Sequence, residues 1–369
     1  MLLALLAVAF SSAPLDHAPR GPQRDARSDR PFFVGEMQRI VPPDRVEWNP
    51  SETATPAIDE AETRLYLATH DGKVRCRFRG KTAWTFQTNG PVLAAPTLSE
   101  ETLVVAGGDG VLYGLNRFTG AARWQTDLHE ELTTSPVVAD GRVFVMSSEQ
   151  SVTAVNVKDG KSLWKMHRDP PGGYSIRGDA PPRVAHGTVF VGFADGTVAA
   201  LQPQDGVVKW SKQVSGTGEY LDVDWIDAPE NDPRIYVASA KAGVVAVDAA
   251  TGEPAWTSAL PGANHVLVEG PRVIAGGRGA VVALDRGSGK LLWTLKLPKD
   301  HYPTQPVVVN GIVLVADDRG PLMGVDAQTG EARGGFDPGS GFSQPVLALP
   351  GVAYVISNGG ALYALGLLP

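Results

Sequence analysis

One pattern recurs through almost the whole chain and limits what it can become: a glycine followed four residues later by a tryptophan. The pairs are Gly80 and Trp84, Gly120 and Trp124, Gly160 and Trp164, Gly206 and Trp210, Gly252 and Trp256, and Gly289 and Trp293. Self-similarity at a period of about forty residues marks a stacked or circular array of one supersecondary unit. In its clearest copy, Thr134 to Trp164, the stretches PVVAD, GRVFVMS and SVTAVNV run or alternate apolar at strand length, with turn pairs at Asp140-Gly141 and Asp159-Gly160. KSLWKM makes a fourth strand. A seventh unit, VDAQTGEARGGF, keeps Thr329-Gly330 but carries Gly334 where the tryptophan would stand, and an eighth, SQPVLALPGVAYVISNGGALYAL, stops after its third strand.

Four-stranded antiparallel units with no helix between them predict an all-β fold, a β-propeller whose blades pack face to face around an axis. A ring must close. The segment DRVEWNP carries Trp48, thirty-six residues ahead of Trp84, and is expected to supply the outer strand of the last blade. The prediction is an eight-bladed β-propeller of four-stranded antiparallel blades, closed by an N-terminal strand that completes the last blade. Ahead of it, MLLALLAVAF is too short to span a bilayer, and with the small-residue pattern Ala7-Val8-Ala9 it suits a signal peptide over residues 1–20. Residues 21–44, rich in proline and arginine, read as a flexible linker, and residues 45–369 as the propeller.

Within this repeat each tryptophan belongs on an outer strand, packed against the neighbouring blade. Each glycine before it suits the positive φ at the end of a tight turn. Gly107-Gly108-Asp109-Gly110 and Gly276-Gly277-Arg278-Gly279 lie between strands with no helix following, so the dinucleotide reading fails. The hydrophobic share of 43% and charged share of 20% suit an ordinary buried core. A net charge of −7 with no lysine- or arginine-rich run argues against nucleic acid or anionic lipid as main partner. A single cysteine, Cys76, excludes an intrachain disulfide and reads as a buried, inert thiol. The seven histidines show no metal-ligand spacing.

The rhythm breaks in two places. Trp164 to Trp210 and Trp210 to Trp256 are each forty-six residues apart, against forty for the steps before them. The extra length falls in GGYSIRGDAPP, Gly172 to Pro182, and around YLDVDW, Tyr220 to Trp225. Both connect an outer strand to the next inner strand, so both lie on one face of the disc, on either side of blade four. Long loops on a rigid scaffold are where binding concentrates. Tyr174 and Ile176 beside Arg177 have the composition of an interface anchor. Arg177-Gly178-Asp179 spells an adhesion tripeptide that arises readily by chance.

AVDAATGEPAW and its copies resemble the quinoprotein-type, PQQ-like repeat, and the order of features from Val46 to Leu365 is similar to that of the BamB family of outer-membrane assembly factors. SIRGDAP and YLDVDW are similar to two loops of that family. The resemblance implies a non-catalytic periplasmic scaffold of the β-barrel assembly machinery, monomeric, docking to the periplasmic polypeptide-transport domains of BamA and assisting insertion of unfolded outer-membrane protein precursors. It carries the partner contacts onto Tyr174, Ile176, Arg177, Asp222 and Asp224, with no catalytic, cofactor or metal residues. It places the protein in the periplasm or on the periplasmic face of the outer membrane. Family members usually carry a lipid on a cysteine after the signal peptide, and no cysteine lies among the first seventy-five residues here, so the sequence does not support an anchor. Blade one departs from the repeat as well, with Phe78-Arg79 where other units have Asp or Asn. Two alternatives stand beside this reading. One is a generic exported propeller that binds another protein or a polysaccharide. The other is a quinone-dependent dehydrogenase, which would need a calcium site of six to eight oxygens. The adjacent-cysteine disulfide of many such enzymes is excluded here.

Overall fold

The computed structural model describes residues 33–40 as a paired strand and residues 54–59, 64–169, 180–216 and 221–367 with their side chains. Residues 1–20, Trp48, Tyr174, Ile176 and Arg177 lie outside the described residues. The secondary structure is all strand, in eight four-stranded antiparallel sheets. Blade two runs outward from the axis as Thr97–Ser99, Thr102–Ala106, Val111–Asn116 and Ala122–Asp127. On the same plan, blades one and three to seven span residues 57–87, 137–167, 183–213, 223–258, 265–296 and 307–336. Blade eight has Leu347–Leu349, Val352–Ile356 and Leu362–Leu367, and the strand hydrogen-bonded beside the last of these is Phe33–Ile40. That strand falls inside the segment read as a linker, upstream of the stretch around Trp48. FVGEMQRI and DRVEWNP are both short and mixed in polarity, and a local pattern of that length does not rank them.

Each blade is covered on both faces, so its second and third strands are apolar in succession rather than in alternation: Val143, Phe144, Val145 and Met146 are all buried. The buried side chains form eight clusters, one at each interface between neighbouring blades. The ring is closed by the smallest, in which Leu65 and Leu67 of blade one meet Ile356 and Leu362 of blade eight. Thr55 Oγ1 donates to Gln344 Oε1 across the same seam at 3.1 Å.

The glycine–tryptophan repeat explains how the other blades hold together. Each indole reaches across to the next blade and donates its N–H to a carbonyl in that blade's outer hairpin: Trp84 to Arg117, Trp124 to Val157, Trp164 to Pro203, Trp210 to Ala249, Trp256 to Arg286 and Trp293 to Ala327, all at 2.9–3.1 Å. The acceptor directly follows the turn-capping residue, as in blade two, where Asn116 Oδ1 accepts the N–H groups of Phe118 and Thr119 at 2.9 and 3.0 Å. The glycine closing that turn lies flat on the preceding indole. A Cβ on Gly160 would stand 2.7 Å from the Trp124 ring, and at φ 73° only glycine is unstrained there.

Room for the ring is also made within its own blade. The residue paired with Trp84 is Cys76, and those paired with Trp124, Trp164, Trp210, Trp256 and Trp293 are Gly114, Ala154, Ala200, Ala246 and Ala283. A Cβ on Gly114 would lie 2.1 Å from the Trp124 ring. Cys76 is therefore buried as the small partner of an indole, and burial pushes its thiol up. A bulge follows this pair in each of these sheets, turning the strand end toward the hairpin. Blade one reaches the same arrangement through a tighter turn, with Arg79 at φ 50° and Gly80 at φ 76°.

Blade seven has Gly334 opposite Gly324 because a tryptophan there would find no hairpin to clasp: the strand beside Leu362–Leu367 is Phe33–Ile40, not a following hairpin arm. Two residues on, Phe336 packs edge-on against Tyr363 of blade eight with centroids 4.9 Å apart, as Phe86 does against Tyr113 at 5.6 Å.

Blades five and six share a second clasp. Arg286, whose carbonyl receives Trp256, sends Nε to Asp232 Oδ2 at 2.5 Å, and Asp232 also accepts from Arg234 Nε at 3.1 Å and from the Tyr236 hydroxyl. Burial alone would raise the Asp232 pKa, but the hydrogen bonds from Tyr236, Arg234 and Arg286 outweigh it and hold it at about 2.

Trp124→Ala is expected to cost about 3–5 kcal/mol in urea unfolding, since it empties a buried inter-blade site. Gly334→Trp is expected to give no gain; a stabilised Gly334→Trp variant would show that a receptor exists on blade eight. For Asp232 the folded pKa lies below the unfolded one, so its contribution is complete above pH 4 and is lost as pH falls toward 2. The total is roughly 2 kcal/mol. Asp232→Asn should be less stable than the parent at pH 7 and lose less between pH 4 and pH 2, as measured by urea midpoints across that range.

Candidate functional site

Strand alternation brings every outer-to-inner connection, and every hairpin between second and third strands, to one face of the disc. On that face a residue leaving one blade is tied to the hairpin of the next. The Asn89 N–H donates to Asp109 at 3.2 Å, Ser147 Oγ to Glu130 at 2.5 Å, Arg168 Nε to Asp195 at 2.9 Å, and the Gly359 N–H to Ser340 Oγ at 3.0 Å. His301 beside Asp317, at 2.9 Å, belongs to the series. With Asp318 it forms a group of three metal-type donors, but Asp317 Oδ1 already takes the Arg319 N–H and Asp318 Oδ1 the Tyr302 N–H, each at 2.9 Å. These carboxylates cap a turn and join two blades.

Two of the connections are the long ones. The first leaves blade three at Arg168, whose Nε and Nη2 both bond Asp195 Oδ2 at 2.9 and 2.6 Å, while Nη2 also donates to Thr197 Oγ1 at 3.0 Å. It returns at Ala180, which is fully buried. Tyr174, Ile176 and Arg177 fall between these two fixed points, outside the described residues. The second connection enters blade five through Leu221, Asp222, Val223 and Asp224. Val223 occupies the space above Gly192, where a Cβ would stand 2.2 Å from Val223 Cγ1, and its N–H bonds the Phe193 carbonyl at 3.2 Å. Asp222 is buried, 6% exposed, and Asp224 is half-buried. Asp224 sits in a bulge between Val223 and Trp225 and accepts the Ala240 N–H at 2.8 Å.

Both long connections are thus rooted on one hairpin, Phe193 to Gly196 of blade four: Arg168 on Asp195, and Val223 on Phe193. The anchoring residues Arg168, Asp195 and Gly192 were not singled out from the sequence. Their signal was an arginine just past an outer strand and an Asp-Gly turn of the kind repeated at Asp71-Gly72 and Asp109-Gly110. On this face the buried Ser151 has its hydroxyl 3.0 Å from His167 Nδ1 and donates to Glu130 Oε1 at 3.2 Å, while Ser215 and Ser239 are buried and bonded to each other at 3.0 Å.

Eight four-stranded sheets clasped by indoles, with two long connections rooted on one hairpin, define a β-propeller built from PQQ-like repeats. The profile of the family described as "Outer membrane protein assembly factor BamB" matches residues 45–125, 70–222, 221–334 and 277–366, and the chain belongs to that family. The BamB of Yersinia pestis is 27% identical over 260 residues, 68% of this chain and 66% of that protein, so the match spans just under two thirds of the relative's length. The crystal structure of BamB from Moraxella catarrhalis superposes with a TM-score of 0.78 at 22% identity, covering 90% of this chain and 99% of that one. The quinohemoprotein alcohol dehydrogenase of Comamonas testosteroni superposes with a TM-score of 0.67 at 14% identity, over 86% and 75%. At these identities the superpositions show a common fold.

Gly192→Ala is expected to force Val223 aside and cost about 1–3 kcal/mol. Hydrogen exchange should quicken at residues 221–224 while the hairpins of blades one and seven stay protected. Unchanged exchange at 221–224 would show that Gly192 does not seat the second connection.

Proposed function

We propose that the chain is a non-catalytic periplasmic scaffold in outer-membrane β-barrel assembly, held to the periplasmic polypeptide-transport domains of BamA by the face that carries the two long connections. In this reading Tyr174, Ile176 and Arg177 make the contact, the Asp222-Val223-Asp224 segment completes the surface beside them, and the docked disc helps to present unfolded precursors for insertion. Membership of the BamB family supports the reading. The observation that carries it is the common root of both connections on the blade-four hairpin, which ties Arg168 of the first and Val223 of the second to neighbouring residues. Ends that are already fixed in the free protein reduce the ordering cost of binding.

Arg177→Glu is expected to weaken binding of the BamA periplasmic domains by roughly 30- to 1000-fold, the cost of losing a central arginine anchor. The melting temperature should stay near the parent value, because exposed loop changes usually stay within about 0.5 kcal/mol. Calorimetric titration with melting curves decides it: parental affinity in Arg177→Glu would overturn the docking assignment. The oxidoreductase reading is tested separately. Pyrroloquinoline quinone with calcium should give no alcohol- or sugar-dependent dye reduction, and turnover would overturn the non-catalytic assignment.

A further inference from the structure

The inner strands of five blades, Ala57–Asp59, Thr97–Ser99, Val137–Ala139, Val307–Val309 and Leu347–Leu349, carry no basic or aromatic side chain. Those of blades four, five and six differ. Arg183–Ala185, Val223–Asp227 and His265–Glu269 place a guanidinium, an indole and an imidazole on three consecutive blades. In a ring of near-identical units, a polar set confined to one sector needs a reason of its own.

The three groups are in contact. The Arg183 guanidinium carbon lies 4.5 Å from the Trp225 ring centroid, and the Trp225 and His265 rings are 5.0 Å apart. Arg183 donates Nε to the Ile226 carbonyl at 2.8 Å, and that is its one hydrogen bond among the described residues. No carboxylate forms an ion pair with it there. Asp227 acts on it only from longer range, having given Oδ2 to the Val268 N–H at 2.7 Å. Trp225 Nε1 and His265 Nδ1 are buried without a hydrogen-bond partner among the described residues. Burial, with Arg183 adding to it, brings the His265 pKa down to about 3, so the ring is neutral at physiological pH.

A half-buried guanidinium with no ion pair among the described residues is an incomplete arrangement, and unused buried donors are costly. Water could serve the indole and the imidazole, but it would not balance the charge. We propose that this sector of the axial channel binds an oxyanion, a carboxylate or a phosphate, with Arg183 as the primary contact and Trp225 and His265 as neutral hydrogen-bonding groups beside it. The planar fork of Arg183 matches either oxyanion through its two terminal nitrogens. Trp225 and His265 pair with Ala238 and Gly276, beside the hairpins of the face that carries the two long connections, and Arg183 reaches them from two register positions deeper. The site stands independently of the partner assigned to that face.

Titration calorimetry of the full chain at low ionic strength, with inorganic phosphate in one arm and succinate in the other, tests the proposal. One-to-one binding in at least one arm is expected, and the tighter arm identifies the source of the oxyanion. Arg183→Gln should weaken it by about tenfold or more, Arg183→Lys by less, and Trp225→Phe, which keeps the ring and removes the N–H, by a few-fold. Binding should also raise the melting temperature of the parent protein, a readout that survives if Arg183→Gln fails to fold. Absence of binding and of thermal stabilisation in both arms would overturn the proposal, and so would parental affinity in a folded Arg183→Gln.

Discussion

The architecture depends on one contact made six times: an indole that belongs to one blade but finds its hydrogen-bond acceptor on the next. A buried indole N–H left alone is costly, so each tryptophan is satisfied only when two blades stand at the right spacing. The contact therefore sets the angle between blades as well as adding to their adhesion. It also dictates chemistry on either side. The acceptor hairpin must present a glycine to the ring, and the indole's own sheet must leave a small residue beneath it, which is why Cys76 stands where other blades have alanine or glycine.

The exceptions obey the same constraint. Gly334 breaks the repeat where the following blade offers no outer hairpin, and the edge-to-face pair of Phe336 and Tyr363, present beside Trp84 as Phe86 and Tyr113, is kept. Among the described residues, the seam between blades eight and one holds four buried aliphatic side chains with Ile58, Leu347 and Tyr354 packed against them, and the Thr55–Gln344 hydrogen bond. The ring is thus held by indole clasps over most of its circumference and by plain apolar burial where the chain's two ends meet.

A rigid ring leaves variation to its faces and its axis. On one face, two connections have grown longer than the repeat requires, and both are fastened to the blade-four hairpin. On the inner strands, blades four to six carry Arg183, Trp225 and His265, where the other blades have no basic or aromatic side chain. Loop length and inner-strand composition depart from the repeat in the same sector. Neither change disturbs the indole clasps, which lie at the outer rim. Function can therefore be added without weakening the ring.

How much of this was legible in the sequence follows from range. The strand pattern, the number of units, the outer-strand position of the tryptophans and the special glycine turns are local or periodic, and spacing alone carried them. Composition alone ruled out a disulfide. The sequence also located the two long connections and, by alternation of strand direction, put them on one face. It did not show that Asp222 is buried, that Arg168 and Val223 are seated on the same hairpin, or that Phe33–Ile40 lies beside Leu362–Leu367. Nor did it pick out Arg183, Trp225 and His265, which are separated by about forty residues each and look like unrelated surface residues. Periodicity within a blade comes from backbone hydrogen bonding, which a short window of sequence records. Which side chains meet between blades is set by the rotation of one sheet against the next, and only the closed ring decides it.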